Sequence, residues 1–313
     1  MRIGLFAGIT PETTFALQDL VNYARDAEAR GFDSLWLPNV FGFDAVGACS
    51  IIGWETNHIE LGTAVTPTYP RHPGALAQQA LTTQAACGGR FALGIGLSHQ
   101  LVIEGMYGMS YDKPARHMSE YLQIIAPLLR GEGVEFEGDQ LTGKMKLDVP
   151  GADPVPLLVA ALGPAMLKLA GAMSHGTTTW MTGPRTIAEH IVPCISAAAE
   201  AAGHGAPRIV CGLPICLTSD VAGAREVIGK TLKIYGMLPS YRAMLDREGV
   251  EGPAELALVG NEATLRADIA RLRDAGVTDF NAAIFPHGDN GDALMDLLLE
   301  RLLERYRTAD ESS

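Results

Sequence analysis

The chain is short of positive charge and contains no long apolar run. Its 24 lysines and arginines are outnumbered by 36 aspartates and glutamates, for a formal net charge of −12. A chain with so little basic surface cannot track a phosphate backbone, so we expect no nucleic-acid partner. No apolar run reaches the about 18 residues of a membrane span, and no charged-then-apolar leader opens the sequence. We therefore expect a cytoplasmic protein with no membrane partner.

Several kinds of reactive site are also missing from the sequence. The five cysteines are scattered and form no C-x-x-C pair, which is typical of buried thiols in a reducing compartment. The eight histidines show no H-x-H or H-E-x-x-H spacing, so a metal hydrolase is disfavoured. All six lysines fall in predicted loops or helices, which leaves no strand-end lysine for a Schiff base.

What the sequence does contain is a regular alternation of short apolar runs and longer segments of helical period. This alternation is typical of βα units around a parallel sheet. The predicted strands are 2–6, 33–38, 59–66, 91–97, 156–161, 177–181, 208–217 and 280–285. The predicted helices include 14–30, 73–87, 116–130, 185–202 and 262–275, and glycines close three of them at positions 31, 203 and 276.

Eight such units without a linker predict one (β/α)8 TIM barrel, a single domain over residues 1–313. The excess over the roughly 250 residues of a plain barrel predicts insertions at the face that carries the strand carboxyl ends. We place them at 99–113, at 131–154, where 134–138 looks like a short hairpin, and at 235–253, where 239–252 is a lid or a solvated helix. The leucine-rich helix 294–306 packs outside the barrel or serves a dimer.

The predicted strand ends carry mostly neutral polar groups. The third strand runs into a proline-rich loop, and the fourth ends in Ser98-His99. Carboxyl ends of barrel strands are where such enzymes place their chemistry. A lining of this kind suits a planar, hydrogen-bonding ring system that carries its own reactivity. The neutral strand-end residues are Asn39, Thr63, Thr66, Ser98, His99, Thr179 and Thr182.

Ordered motifs along the chain carry a family resemblance. They are Gly31-Phe32-Asp33-Ser34-Leu35-Trp36, Leu61-Gly62-Thr63-Ala64-Val65, Gly94-Ile95-Gly96 and Tyr111-Asp112-Lys113-Pro114 followed by Glu120-Tyr121. From Ile3 to about Phe285 the chain resembles the luciferase-like monooxygenase superfamily, and within it the branch that uses the deazaflavin coenzyme F420, such as methylenetetrahydromethanopterin reductase.

The resemblance implies an F420-dependent oxidoreductase that transfers a hydride between the deazaflavin C5 and a small organic substrate, with a homodimer as the expected assembly. Two alternatives stay open: a flavin mononucleotide (FMN) monooxygenase of the same superfamily, and a non-catalytic flavin-binding or deazaflavin-binding barrel. Val40 stands where the sugar-phosphate dehydrogenase branch has a histidine, which argues against glucose 6-phosphate.

The resemblance also implies positions for the site. It places a non-proline cis peptide behind the ring at Ala64–Val65, and the cofactor phosphate at the helix start within 160–164, shared with the loop 180–184. His99 and Asn39 are the catalytic candidates, although His99 could instead cap its loop, and Trp180 is a cofactor wall or simple core. The implied cofactor-binding residues are Asn39, Thr63, Ala64, Val65, Thr66, Leu97, Ser98, His99, Ala161, Leu162, Gly163, Pro164, Trp180, Met181 and Thr182.

The surroundings of this predicted site supply few charges. Arg71, His72 and Arg185 are the basic groups expected near the mouth, where they could meet a phosphate or glutamate tail, although Arg71 could instead bridge to an acidic helix. Aromatic residues in the same loops suggest an apolar or aromatic guest. They are Phe6, Phe41, Tyr69 and Tyr107.

Overall fold

Parallel strands and surrounding helices alternate along the chain. The structure, a computed structural model, describes residues 1–8, 16–285, 287 and 291–310, the last ten of these as backbone alone. The strands are β1 (Arg2–Phe6), β2 (Ser34–Leu37), β3 (Glu60–Thr63), β4 (Thr66–Pro67), β5 (Phe91–Gly96), β6 (Gly133–Glu137), β7 (Thr142–Lys146), β8 (Leu157–Ala160), β9 (Gly176–Trp180), β10 (Arg208–Leu217), β11 (Leu258–Gly260) and β12 (Asp279–Ile284).

Eight of these strands close into a barrel. The order is β12-β1-β2-β3-β5-β8-β9-β10, and β10 closes the circle by pairing in parallel with both β9 and β12. The predicted (β/α)8 barrel is confirmed, with each predicted strand within one or two residues except 59–66. That segment is divided into β3 and the two-residue β4, because the chain bends between them at Ala64–Val65.

The helices are α1 (Leu17–Arg30), α2 (Ala45–Trp54), α3 (Pro73–Ala86), α4 (Gln100–Gly105), α5 (Pro114–Leu129), α6 (Pro164–Met173), α7 (Pro184–Thr186), α8 (Val192–Ala201), α9 (Val221–Thr231), α10 (Pro239–Glu248), α11 (Pro253–Leu256), α12 (Glu262–Asp274) and α13 (Gly291–Asp310). A π-helical turn at Ile187–Ile191 joins α7 to α8, and a 3₁₀ turn lies at Lys233–Gly236.

Glycine closes the three helices at which the sequence predicted it. Gly31, Gly203 and Gly276 all have positive φ (93°, 75° and 99°) just after α1, α8 and α12, a conformation that glycine adopts without a Cβ penalty. The helix predicted over 14–30 is α1, which begins at Leu17; residues 14 and 15 lie outside the described part of the chain. In α13, Leu294 and Leu298 are buried in the main core, as expected for a helix that packs outside the barrel.

The insertions are present, but they do not all arise at one face. The segment after β5 forms α4, and the segment after β10 forms α9, α10 and α11. The short strand β11 that follows α11 was not predicted from the sequence. Residues 131–154 instead join the end of α5 to the start of β8, at the opposite end of the barrel. Their hairpin, β6 and β7, folds along α5, where the Glu120 carboxylate accepts hydrogen bonds from the backbone of Asp139, Gln140 and Leu141 (2.8–3.1 Å).

Charged side chains fill the amino-terminal end of the barrel. Arg208 forms ion pairs with Asp279 (2.6 Å) and Glu60 (2.5 Å), and Arg2 pairs with Glu60 (3.0 Å). These four side chains are called the floor network below. Above it the buried Trp36 lies inside the barrel in a small apolar cluster with Ala92, Leu158 and Val210. The strand interior is therefore filled up to the carboxyl end.

Candidate active site

A cavity of about 210 Å³ opens at the carboxyl ends of the barrel strands. This volume is smaller than the roughly 300–1,000 Å³ of pockets that bury a whole drug-sized ligand, so it has room for part of a larger ligand, such as one ring system. Strands, the loop after β3 and the insertions all contribute to its wall. The predicted site residues that line it are Ala64, Val65, Leu97, Ser98, His99, Leu162, Gly163 and Trp180.

The loop after β3 forms one part of this wall. The Ala64–Val65 peptide bond is cis, as the resemblance implied. Thr63 holds the loop to β5: its hydroxyl donates to the carbonyl oxygen of Gly94 (2.7 Å) and accepts from the Gly94 amide (3.0 Å). A Cβ added at Gly94 would overlap the Thr63 carbonyl oxygen, and one at Gly96 would lie 2.6 Å from Val65 Cγ2. Glycines in β5 are therefore required for the loop to approach the strand.

The other predicted site residues do not line the cavity. Thr63 is fully buried and bonded to β5, and Ala161, Met181 and Thr182 are buried beside the wall. Thr66 is buried too, and its hydroxyl has no partner among the described residues. Pro164 is exposed at the first position of α6.

Asn39 also lies outside the lining, because its side chain has a structural role. Its amide oxygen accepts a hydrogen bond from the Ala45 amide (3.0 Å) at the start of α2, and it lies 3.4 Å from a guanidinium nitrogen of Arg71. Arg71 in turn forms an ion pair with Asp44 (2.8 Å), the residue that caps α2. The side chain of Asn39 therefore supports the loop after β2.

His99 is half-buried in the cavity wall. It occupies the position before α4, but its side chain makes no capping hydrogen bond, so the alternative of a loop cap is not supported. Ser98, with φ 59°, precedes it in the left-handed region, and the Ser98 carbonyl accepts from the Tyr111 hydroxyl (3.3 Å). Burial lowers the pKa of His99 below its ordinary value, so the ring is neutral at pH 7.

The amino end of α6 opens at another part of the wall. Gly163 caps this ten-residue helix without a side-chain hydrogen bond, and a Cβ added there would meet no atom within 4 Å. Leu162 is held by the imidazole of His190, whose Nε2 lies 2.8 Å from the Leu162 carbonyl oxygen. The first amides of α6 are therefore available to an anionic group, which the positive end of the helix dipole favours.

The second helix start implied for the phosphate is already occupied. The Glu248 carboxylate, at the end of α10, accepts hydrogen bonds from the amides of Arg185 (3.2 Å) and Thr186 (2.7 Å) and from the Thr186 hydroxyl (2.7 Å). It lies so close to Gly183 that a Cβ there would overlap it. Glu248 therefore occupies the amino end of the helix that follows the loop 180–184, so a phosphate there would compete with this carboxylate.

Comparison with known proteins identifies the family. The sequence profile of the luciferase-like monooxygenase family matches residues 1–280. The chain belongs to the luciferase-like monooxygenase family. It is 30% identical over 263 residues to a 5,10-methylenetetrahydromethanopterin reductase of Methanolobus tindarius, covering 83% of this chain and 79% of that protein. It is 28% identical over 274 residues to an F420-dependent glucose-6-phosphate dehydrogenase of Nakamurella multipartita, covering 82% and 79%.

A solved structure has the same fold as this luciferase-like chain. The coenzyme F420-dependent tetrahydromethanopterin reductase of Methanopyrus kandleri superposes with a TM-score of 0.77 at 22% identity, over 95% of this chain and 97% of that one. Among the described residues, no helix combines the length and apolarity needed to cross a membrane. The same residues contain no group of three or more histidine, cysteine, aspartate or glutamate side chains that could hold a metal ion.

Part of this luciferase-like site was missed by sequence reasoning. Successive rings at the wall are Phe6 and Trp180 (5.3 Å between centroids), Trp180 and Tyr235 (6.0 Å), Tyr235 and Tyr241 (5.1 Å), and Tyr241 and His99 (5.7 Å). These five residues are called the ring wall below. Trp180 therefore lines the cavity, which is one of the two roles that the sequence predicted for it. Tyr235 and Tyr241 come from the insertion after β10. The only feature of the sequence that could have indicated their role is that both are aromatic residues in a predicted insertion.

The expected basic groups do not line the cavity of this luciferase-like chain. Arg71 forms an ion pair with Asp44, the cap of α2 and not part of an acidic helix, and Arg185 pairs with Glu189 (3.2 Å). His72 caps α3 by accepting from the Gly74 amide (3.2 Å). The lining of the cavity therefore contains no lysine, arginine, aspartate or glutamate among the described residues.

Proposed function

We propose that the chain is an F420-dependent oxidoreductase that passes a hydride between the deazaflavin C5 and a small organic substrate. Its two relatives described above, named as a methylenetetrahydromethanopterin reductase and an F420-dependent dehydrogenase, support the cofactor. The observation that carries the proposal is the open amino end of α6 beside a neutral, ring-lined cavity. The cavity suits a flat ring, and the helix end suits the phosphate of its tail.

The residues present fit such a group. Ala64 and Val65 would support one face of the ring, and the backbone amides of Ala165 and Met166 would hold the phosphate, since Pro164 has no N–H to donate. The amide oxygen of Asn281 is buried at the cavity and has no partner among the described residues, so it can accept a hydrogen bond from a ring N–H. When bound, F420 supplies the hydride donor or acceptor.

The contribution of the protein is placement and exclusion of water. Hydride transfer requires close approach in a fixed orientation, which the packed loop after β3 and the ring wall provide. His99 is neutral at pH 7, because burial lowers its pKa, so its expected role is to orient ring or substrate by a hydrogen bond. Asn39 does not contact the cavity and would act indirectly, by holding the loop after β2 through its hydrogen bond with the Ala45 amide.

The test is a titration of the purified protein with F420, FMN and NADPH, followed by quenching of tryptophan fluorescence. Trp180 stands in the ring wall and reports binding directly. We expect F420 to bind more tightly than the other two. Tighter binding of FMN would assign the chain to flavin monooxygenases, and F420 binding without turnover of any acceptor would indicate a non-catalytic binding barrel.

A homodimer and a cytoplasmic location are parts of the same proposal. Support for the dimer comes from α2, where Ile51 and Trp54 expose large apolar side chains to solvent. Sedimentation equilibrium of the wild type and of Trp54→Lys tests it. A monomeric wild type would contradict it.

A further inference from the structure

Part of the cavity wall is built from insertions rather than from barrel strands. Ser240 and Tyr241 come from α10, and His99 and Tyr111 from the segment after β5. If the ring of the cofactor covers the Ala64–Val65 loop, as the proposed function requires, these insertion residues are the ones left to meet the substrate. Tyr241 and Tyr111 present the largest rings among them, and the ring of Tyr241 also packs near those of Tyr235 and His99.

Exposed large apolar side chains occur in three segments that follow the carboxyl ends of barrel strands. Phe41 is 63% exposed after β2, Leu101 is 65% exposed after β5, and Met237 is 62% exposed in the insertion after β10. All three segments leave the carboxyl ends of barrel strands, so they lie at the end of the barrel that contains the cavity. An apolar patch of this kind commonly marks a binding site. The apolar rim consists of Val40, Phe41, Leu101, Met106, Tyr107 and Met237.

Positive charge is absent from this binding surface. Within the described ranges, no lysine or arginine lines the cavity. Arg71 and Arg185 are held in ion pairs with acidic side chains, and Lys113 is exposed to solvent outside the lining. A carboxylate or phosphate on the reacting part of a substrate would lose its hydration here without gaining a counter-charge, which is costly. With the amino end of α6 taken by the cofactor phosphate, the rest of the surface therefore selects against an anionic substrate.

We propose that the substrate is an uncharged, mainly apolar ring compound that packs against Tyr241. This inference rests on the proposed function, because it takes the loop after β3 to be covered by the cofactor. Tyr241 is then a specificity-determining residue: its ring supplies apolar contact, and its hydroxyl and that of Ser240 supply hydrogen bonds to a single polar group on the guest. The apolar rim provides the surface across which such a compound enters.

The experiment compares three probes on protein saturated with F420, using calorimetry. They are 1-tetralone, a tetralone bearing a carboxylate, and glucose 6-phosphate. We expect 1-tetralone to bind at least about tenfold more tightly than either anion, which corresponds to 1.4 kcal/mol. Tyr241→Ala should weaken tetralone binding about tenfold, whereas the matched variant Tyr241→Phe keeps the ring and should stay within about threefold of the wild type. F420 affinity is measured separately for each variant, so that tetralone binding is compared only on protein saturated with the cofactor.

Two results would overturn the inference. One is tetralone binding that is undetectable or no tighter than that of the anions. The other is an equal effect of Tyr241→Ala and Tyr241→Phe on tetralone binding in folded protein, as judged by circular dichroism. A parallel titration with F420 distinguishes a failure of this inference from a failure of the proposed function. If F420 does not bind while the unloaded protein prefers tetralone to both anions, the proposed cofactor is wrong and the substrate class is supported.

Discussion

The Glu248 carboxylate lies 2.7 Å from the backbone nitrogen of Thr186 and caps the helix that follows β9 with a side chain from α10. The same helix α10 carries Ser240 and Tyr241 into the cavity wall. One carboxylate thus ties the insertion after β10 to the barrel helix next to the site. The close approach depends on Gly183, where any side chain would overlap the carboxylate.

Glu248→Ala should destabilise the protein, because it leaves the amides of Arg185 and Thr186 without their partner. We expect the free energy of unfolding, measured in urea, to fall by about 1–2 kcal/mol, the usual effect of losing a helix cap. Glu200→Ala, at an exposed position of α8, is the matched control and should change it by less than about 0.5 kcal/mol. Equal losses in the two variants would show that Glu248 is not a cap.

Gly94→Ala should disrupt the loop after β3, which we propose supports one face of the cofactor ring. The added methyl group would overlap the Thr63 carbonyl oxygen, so either β5 or the loop after β3 must shift. We expect a loss of about 1–3 kcal/mol in unfolding free energy, as in other overpacked cores, together with weaker F420 binding. Gly205→Ala, where a Cβ meets no atom within 4 Å, should be close to wild type in both measurements.

Gly163→Asp should weaken F420 binding while leaving the fold intact. The added side chain would find open space, but its carboxylate would repel a phosphate placed at the amino end of α6. Fluorescence titration should show at least about a tenfold loss of affinity. Gly163→Asn, which has nearly the same shape without the charge, should lose much less. If both variants bind F420 like the wild type, the phosphate lies elsewhere.

His99→Gln should remove a pH dependence on the acid side of neutrality. Because the folded-state pKa of His99 lies below its unfolded value, its stabilising contribution is full above about pH 6.5 and is lost as pH falls through the folded pKa. Wild-type cofactor affinity should fall over the same acidic range, and that of the variant should not. At pH 7 we expect the variant to lose about tenfold in turnover. A loss of about 10²–10⁴ would instead identify His99 as a general acid.

Asp279→Asn should destabilise the floor network strongly. Burial alone raises the pKa of Asp279, but its hydrogen bonds and ion pair with Arg208 outweigh burial and hold the pKa below its ordinary value. The resulting stabilisation is present above about pH 3.9 and is lost as pH falls through the folded pKa. At pH 7 the variant should lose about 1–3 kcal/mol of unfolding free energy, since Arg208 loses one of its two charged partners and keeps Glu60. Asp274→Asn, on the exposed end of α12, is the control and should have little effect.

The barrel itself could be predicted because its signals are local. Apolar runs and helical periods define the strands and helices, and Gly31 or Gly276 marks a helix end through its own conformation. The parts that were missed depend on contacts between distant segments. Tyr241 reaches the cavity only because α10 folds over the barrel, and nothing near Glu248 in the sequence indicates that its partners are the amides of residues 185 and 186. Asn39 stands at a strand end as predicted, yet its amide is used by Ala45 and Arg71.

The filled interior around Trp36 makes the cavity blind-ended within the described part of the chain. With the floor network below and the Trp36 cluster above it, no path leads through the barrel axis. Two reactants that share this cavity must enter and leave through the same opening, at the carboxyl ends of the strands. The one that sits deeper has to arrive first and depart last, so steady-state kinetics should follow a compulsory order in which the second reactant traps the first.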